Sequence, residues 1–156
     1  MTVKFVIDRG VSHELVRHRL CAFSQESTRY CNYAKKGVVF ILPPWVNLPT
    51  GEYPAGFLDS SLVNTMDDAA YSWLRLIRES EDTYLSLLKF GWTPQQARSV
   101  LPNSLKTEIV VTANFREWRH IFKMRTAQGA HPQMREVMIP LLKQVKRDIP
   151  VVFEDL

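Results

Sequence analysis

Arg17, His18 and Arg19 stand in a row, followed seven residues later by Ser27 and then by Arg29 and Tyr30, in the run RHRLCAFSQESTRY. Apolar Leu15, Val16 and Leu20 flank the cationic triplet. A guanidinium buried among such neighbours needs partners, because an unpaired buried charge is very costly. Its planar fork of donors suits phosphate oxygens and carbonyl edges. The segment therefore reads as a holder for an anionic ligand rich in hydrogen-bonding groups. Ser27 has no general base at a fixed spacing, and an unassisted serine is a weak nucleophile. Its hydroxyl reads instead as a phosphate contact or a turn cap. His18 lies between two arginines, which disfavours its charged form, so a neutral hydrogen-bonding or stacking role is expected.

Other single residues stay open to two readings. Arg17, Arg29, Arg98 and Arg125 each lie beside apolar residues and are either anion-binders or structural, snorkelling cations. Asn114 reads as a helix cap, Arg116 and Arg119 as a solvated face, and His131 as a cap of the last helix. No G-x-G-x-x-G follows a strand, and no P-loop or His/Cys/Asp metal cluster is present, so the expected metal complement is none.

The elements that must position these groups can be read from periodicity. Val3 to Ile7 alternates as a strand, and Ser12 predicts the N-cap of a short helix through Arg19. On that helix Arg17 and Arg19 lie about 200° apart and face different sides, with Glu14 placed to orient Arg17 or His18. Val38 to Leu42 reads as a buried strand ended by Pro43-Pro44. Residues 43–56 read as a surface loop and Leu58 to Phe90 as a long helix. The stripe of that helix is Ala70, Trp73, Leu74, Ile77, Tyr84, Leu87 and Leu88. Thr93 to Gln96 forms a capping box with Pro94 at the first helical position. Leu105 to Ala113 reads as a strand, Asn114 with Glu117 opens a helix through Arg125 that Gly129 stops, and Pro132 opens a final helix containing Pro140. The expected fold is α/β of the α+β type: a small mixed or antiparallel sheet packed with long helices.

A chain of 156 residues suits one domain, taken as 1–156. Its 46% hydrophobic and 23% charged residues are those of a soluble globular protein. Twenty Lys and Arg against sixteen Asp and Glu, a net +4, fit an anionic small ligand, and the spread of the basic residues argues against nucleic acid. No apolar stretch is long enough for a membrane span and no signal pattern opens the chain, so a cytoplasmic location is expected. Cys21 and Cys31 fit neither a metal spacing nor a disulfide framework and read as small semi-buried hydrophobes.

The R-H-R, seven residues, S arrangement resembles the signature of the flavin-dependent thymidylate synthases, and Arg17, His18, Arg19 and Ser27 fill it. Further blocks resemble that family in order and spacing: Ala97-Arg98-Ser99-Val100-Leu101-Pro102, Thr112-Ala113-Asn114-Phe115-Arg116-Glu117-Trp118-Arg119-His120, Met124-Arg125-Thr126 and His131-Pro132-Gln133-Met134-Arg135. The resemblance implies an enzyme that makes thymidylate (dTMP) from deoxyuridylate (dUMP). Methylenetetrahydrofolate would supply the carbon and NADPH would reduce FAD. It implies dUMP contacts at Glu14, Arg17, Gln25, Glu26, Ser27, Thr28, Arg29, Arg98 and Arg125. The last of these would touch the pyrimidine and promote loss of its N3 proton. It implies FAD contacts at Arg17, His18, Arg19, Gln25, Asn114, Arg116 and His120, and a homotetramer with sites between subunits. His120 stands where some members carry asparagine. Members carry several tens of residues before the segment matching Val3, so the nucleotide site is expected nearly complete and the flavin site short of part of one wall. The alternatives are a catalytically incomplete pyrimidine-nucleotide-binding module or partner subunit of a full-length homologue, and an enzyme acting on another pyrimidine nucleotide.

Overall fold

The computed structural model describes residues 1–53 and 66–156. These fall into two compact units: Met1–Gln25 with Thr107–Leu156, and Glu26–Lys106.

In the first unit, strand β1 (Thr2–Asp8) runs into helix α1 (Arg9–Leu15), and β2 (Ala22–Gln25) follows. Strand β3 (Lys106–Thr112) leads to helices α5 (Phe115–Arg125), α6 (Pro132–Asp148) and α7 (Pro150–Phe153). The sheet order is β1-β3-β2, with β2 antiparallel to β3 from Ala22↔Thr112 to Gln25↔Ile109. Met1 and Ala113 exchange backbone hydrogen bonds on the other side of β3. Central β3 alternates in burial, so Thr107, Ile109 and Val111 turn into the unit. There Phe5, Ile7, Val11, Leu15, Trp118, Ile121, Phe122, Met134 and Met138 close the core. The α+β expectation holds: the sheet is small and the helices long.

In the second unit, helices α2 (Tyr33–Lys36), α3 (Asp68–Lys89) and α4 (Pro94–Ala97) and a 3₁₀ turn at Arg98–Val100 pack around Tyr33, Tyr84, Ala97 and Leu105. Tyr84 is fully buried, and its hydroxyl accepts the Tyr33 N–H at 3.3 Å. The capping box is present, with Gln96 Oε1 accepting the Thr93 N–H at 2.9 Å.

Three local expectations are corrected. First, α1 is capped by Asp8, whose carboxylate accepts the Val11 N–H at 2.6 Å, and not by Ser12, whose hydroxyl donates to the Arg9 carbonyl. The helix therefore starts four residues earlier than a Ser12 cap allows and ends at Leu15. The chain then tightens through i to i−3 bonds, Arg17 to Glu14 and His18 to Leu15, so Arg17, His18 and Arg19 lie in turns. Replacing Asp8 by Ala is expected to lower stability by about 1 kcal/mol in urea titrations. Second, Val38 to Leu42 is not a strand: Phe40 forms one isolated bridge to Leu105, and Pro43-Pro44 ends the pairing. Third, the long helix opens at Asp68, because the Asp67 side chain accepts the Ala70 N–H at 2.7 Å and leaves Met66 outside it. The expected helical residues 58–65, and the loop residues 54–56, lie outside the described residues.

Candidate active site

The first unit brings four of its charged or titratable side chains into one chain of contacts. Arg125 ends α5. Its Nη1 donates to Glu14 Oε2 at 2.7 Å and its Nη2 to the Glu14 carbonyl at 3.0 Å. Its Nε donates to His18 Nε2 at 2.9 Å. On the other edge of the imidazole, Nδ1 lies 3.6 Å from Glu117 Oε1. His18 and Glu117 are both buried, and the Arg125 side chain is 16% exposed. Glu14 thus pairs with Arg125 and not with Arg17 or His18, because α1 stops before it can present those residues at helical spacing.

His18 is held neutral, as expected, but for a different reason. Burial pushes its pKa below the ordinary 6.5, then the Arg125 charge; Glu117 opposes both. The flanking Arg17 and Arg19 are exposed, so the buried-guanidinium reading of this triplet applies to neither. The sign for stability follows. A histidine with a lowered folded value contributes fully above 6.5, and its contribution falls as pH drops through the folded value. The urea midpoint is therefore expected to fall as pH is lowered from 7 towards 5, and His18→Gln should flatten that fall. An unchanged slope in the variant would remove His18 as its source.

His18, Glu117 and His120 are the one group among the described residues whose donor atoms converge closely enough for a metal ion. The arginine argues against that use. Arginine nitrogens only donate, so His18 Nε2 must accept, and in the neutral ring the proton then sits on Nδ1. Both imidazole nitrogens are committed and neither has a lone pair to give. His120 sits edge-on to His18 at 5.8 Å between centroids and is exposed.

The remaining predicted residues are placed as follows. Asn114 caps α5, accepting the Glu117 N–H at 2.8 Å, and Arg116 is exposed beside it. Arg119 is no free solvated cation: it grips both Asp155 oxygens at 2.6 Å and the Val152 carbonyl. That grip holds the Asp155 carboxyl at about 2. His131 stands at the N-cap of α6 without a side-chain capping bond. Gln25 Nε2 donates to Ser12 Oγ at 2.9 Å and Thr107 Oγ1 at 3.2 Å.

In the second unit, Ser27 Oγ accepts the Arg29 N–H at 3.3 Å and its carbonyl accepts from Tyr30 and Cys31, so the serine organises a turn. Arg98 Nη1 donates to Thr28 Oγ1 at 2.9 Å, which joins the tip of the 3₁₀ turn to that same loop. Arg29 is exposed, with its guanidinium 5.4 Å from the Tyr30 ring. Glu26 lies between Cys31 Sγ at 3.3 Å and Lys106 Nζ at 3.8 Å. Neither Cys21 nor Cys31 is in a disulfide, and burial raises the Cys21 thiol pKa, which fits a semi-buried apolar role.

Glu117 is the member of this contact chain that the sequence did not reveal. Three residues after Asn114, it fits a cap pattern, and the cap bond does form through its amide. Nothing in the spacing shows its carboxylate buried against His18.

A fixed cation set in a buried hydrogen-bonded chain, with further arginines exposed on the same unit, is an arrangement suited to an anionic, hydrogen-bonding ligand. The family model described as thymidylate synthase complementing protein matches residues 1–151, and the chain belongs to that family. The flavin-dependent thymidylate synthase of Corynebacterium efficiens is 37% identical over 153 residues, 96% of this chain and 58% of that protein. Those of Corynebacterium diphtheriae and Mycobacterium tuberculosis are each 34% identical, again over 96% of this chain and 58% of theirs. The chain thus spans 58% of the length of these curated relatives. A crystal structure of thymidylate synthase X from Helicobacter pylori with FAD and dUMP shares the fold, with TM-score 0.71 and 21% identity over 99% of this chain and 71% of that one. Among the described residues no helix is long and apolar enough to cross a membrane.

Proposed function

We propose that this chain acts in flavin-dependent thymidylate synthesis, the reductive methylation of dUMP to dTMP, with methylenetetrahydrofolate as carbon donor and NADPH as source of electrons. The observation that carries this reading is Arg125, a guanidinium fixed by Glu14 and His18. Three of its five N–H groups are used in those bonds, and among the described residues one remains unused on each terminal nitrogen. A permanent cation with two free donors suits a pyrimidine edge that becomes negative as its ring proton leaves. The relatives named as flavin-dependent thymidylate synthases, and the related structure that holds dUMP and FAD, support the same substrate class.

The phosphate falls to the loop of Glu26, Ser27, Thr28 and Arg29 and to Arg98, whose bond to Thr28 braces that loop. Ser27 binds and does not attack. FAD fits the other cations: Arg17, Arg19 and Arg116 are exposed donors suited to its pyrophosphate, and exposed Leu20, at 77%, offers apolar surface. His18, Gln25, Asn114 and His120 complete that set. Once reduced by NADPH, a bound flavin would supply the electrons that finish the methyl group. The reading takes residues 1–156 as one functional domain, since one family model spans both units, and it includes a homotetramer in the cytoplasm.

The test is an anaerobic assay of dTMP formation from dUMP with methylenetetrahydrofolate, FAD and NADPH, each omitted in turn. Product that requires all of them supports the reading. Folded protein that binds dUMP and FAD yet yields no product overturns it. A parallel titration with deoxycytidylate separates dUMP from other pyrimidine nucleotides.

A further inference from the structure

We propose that Glu117 is a positioning residue for Arg125 and acts on it through His18. The inference rests on the reading above, in which Arg125 meets the pyrimidine, and it extends that reading to a carboxylate outside the set the resemblance implies.

The geometry carries it. The Arg125 guanidinium is held at the outer end by Glu14 and at the inner end by His18 Nε2. His18 can accept there only as the Nδ1–H tautomer. A buried Nδ1–H needs an acceptor of its own, and the Glu117 carboxylate, 3.6 Å away, is what faces it. Glu117 is itself buried, which a carboxylate tolerates only with compensation. It sits in the first turn of α5, where unpaired backbone N–H groups favour negative charge, and its own amide is fixed by Asn114. One end of α5 therefore supplies the anion that orients His18, and the other end supplies the arginine that His18 receives. The two residues are tied through the imidazole as well as through the helix.

A merely structural carboxylate would support the packing of α5 and leave the ring's proton alone. The two roles separate by ¹⁵N NMR of His18, read beside turnover. In the wild type the ring is expected as the Nδ1–H tautomer at neutral pH. In Glu117→Ala the Nε2–H tautomer is expected to become populated, with kcat down about 10-fold, the lower end of what outer-shell partners contribute. Glu117→Gln keeps a carbonyl acceptor, so it should keep the tautomer and recover most of kcat.

The second readout is the His18 titration. The charges that face His18 are Arg125 and Glu117 from α5, with His120 from the same helix and Glu14 beyond Arg125; Arg17 and Arg19 flank it in the chain. Removing the Glu117 charge takes away the one direct contact that favours protonation. The midpoint in Glu117→Gln should therefore move to lower pH. That variant decides the contact even if Glu117→Ala does not fold.

A pure Nδ1–H tautomer with wild-type kcat in folded Glu117→Ala overturns the proposal. So does an unmoved midpoint in Glu117→Gln. Absence of turnover in the wild type would count against the functional reading instead, and the tautomer and titration would still decide whether Glu117 orients His18.

Discussion

Arg125→Ala is expected to fold and to lose turnover about 100-fold to 1000-fold, the usual effect of removing a preorganised charge from a reacting centre. Three hydrogen bonds go with the guanidinium: those to Glu14 Oε2, to the Glu14 carbonyl and to His18 Nε2. The partners left behind are a half-exposed carboxylate and a buried ring nitrogen, so stability should fall by about 1–3 kcal/mol as well. The two effects are separable because turnover can be measured well below the unfolding transition. Arg125→Lys should recover little. An ammonium can approach one of these acceptors as a point charge, but it cannot present three donors along two edges and still leave two for a ligand. Turnover near the wild-type value in Arg125→Ala would remove the arginine from the chemistry, whatever happened to the fold.

The largest effect on stability is expected at Trp118. Its side chain is fully buried on α5 between Phe5, at 6.3 Å between ring centroids, and Phe122, at 5.6 Å. Its Nε1 donates to the Met1 carbonyl at 2.9 Å, which fastens the start of β1 to the helix that carries Glu117 and Arg125. Trp118→Ala removes the largest side chain in that core and opens a cavity, at a cost of about 3–5 kcal/mol. Trp118→Phe keeps most of the volume and loses the N–H, so it should cost far less. Urea unfolding of both variants measures the difference. Equal losses would show that the hydrogen bond to Met1, and not the packing, fastens this corner.

The sequence made some of this legible and hid the rest for identifiable reasons. Asn114 and Thr93 mark helix starts where they were expected, because a capping side chain and its amide lie within three residues of each other, and Pro132 marks one because its fixed φ suits the first helical position. The strand through Ile109 and Val111 was visible because it is rich in β-branched residues, which suit a pleated, half-buried surface. The conformation of Arg17, His18 and Arg19 was not. Asp8 and Ser12 both suit an N-cap, and the choice of Asp8 moved the end of α1 ahead of the triplet. Val38 to Leu42 had the composition of a strand and found only one bridge to Leu105. At the site, the arginines were found by type and the family motif, whereas the link from Glu14 to Arg125 joins residues 111 positions apart. No local pattern encodes such a pair, and the same holds for Glu117 and His18.

The second unit is an insertion: the chain leaves the first unit after Gln25 and returns at Thr107, between two strands that are neighbours in the sheet. Closing such an excursion costs entropy that grows only with the logarithm of its length, about 0.6 kcal/mol for each doubling. Natural variants can therefore gain or lose whole turns within residues 26–106 at little cost to the unit that carries His18 and Arg125. The return register is far less forgiving. Slipping β2 by one residue against β3 would turn Gln25 away from Ser12 and Thr107 and move every β2 side chain to the opposite face. Among homologues, length should drift between these strands while the pairing from Ala22 to Gln25 keeps its register.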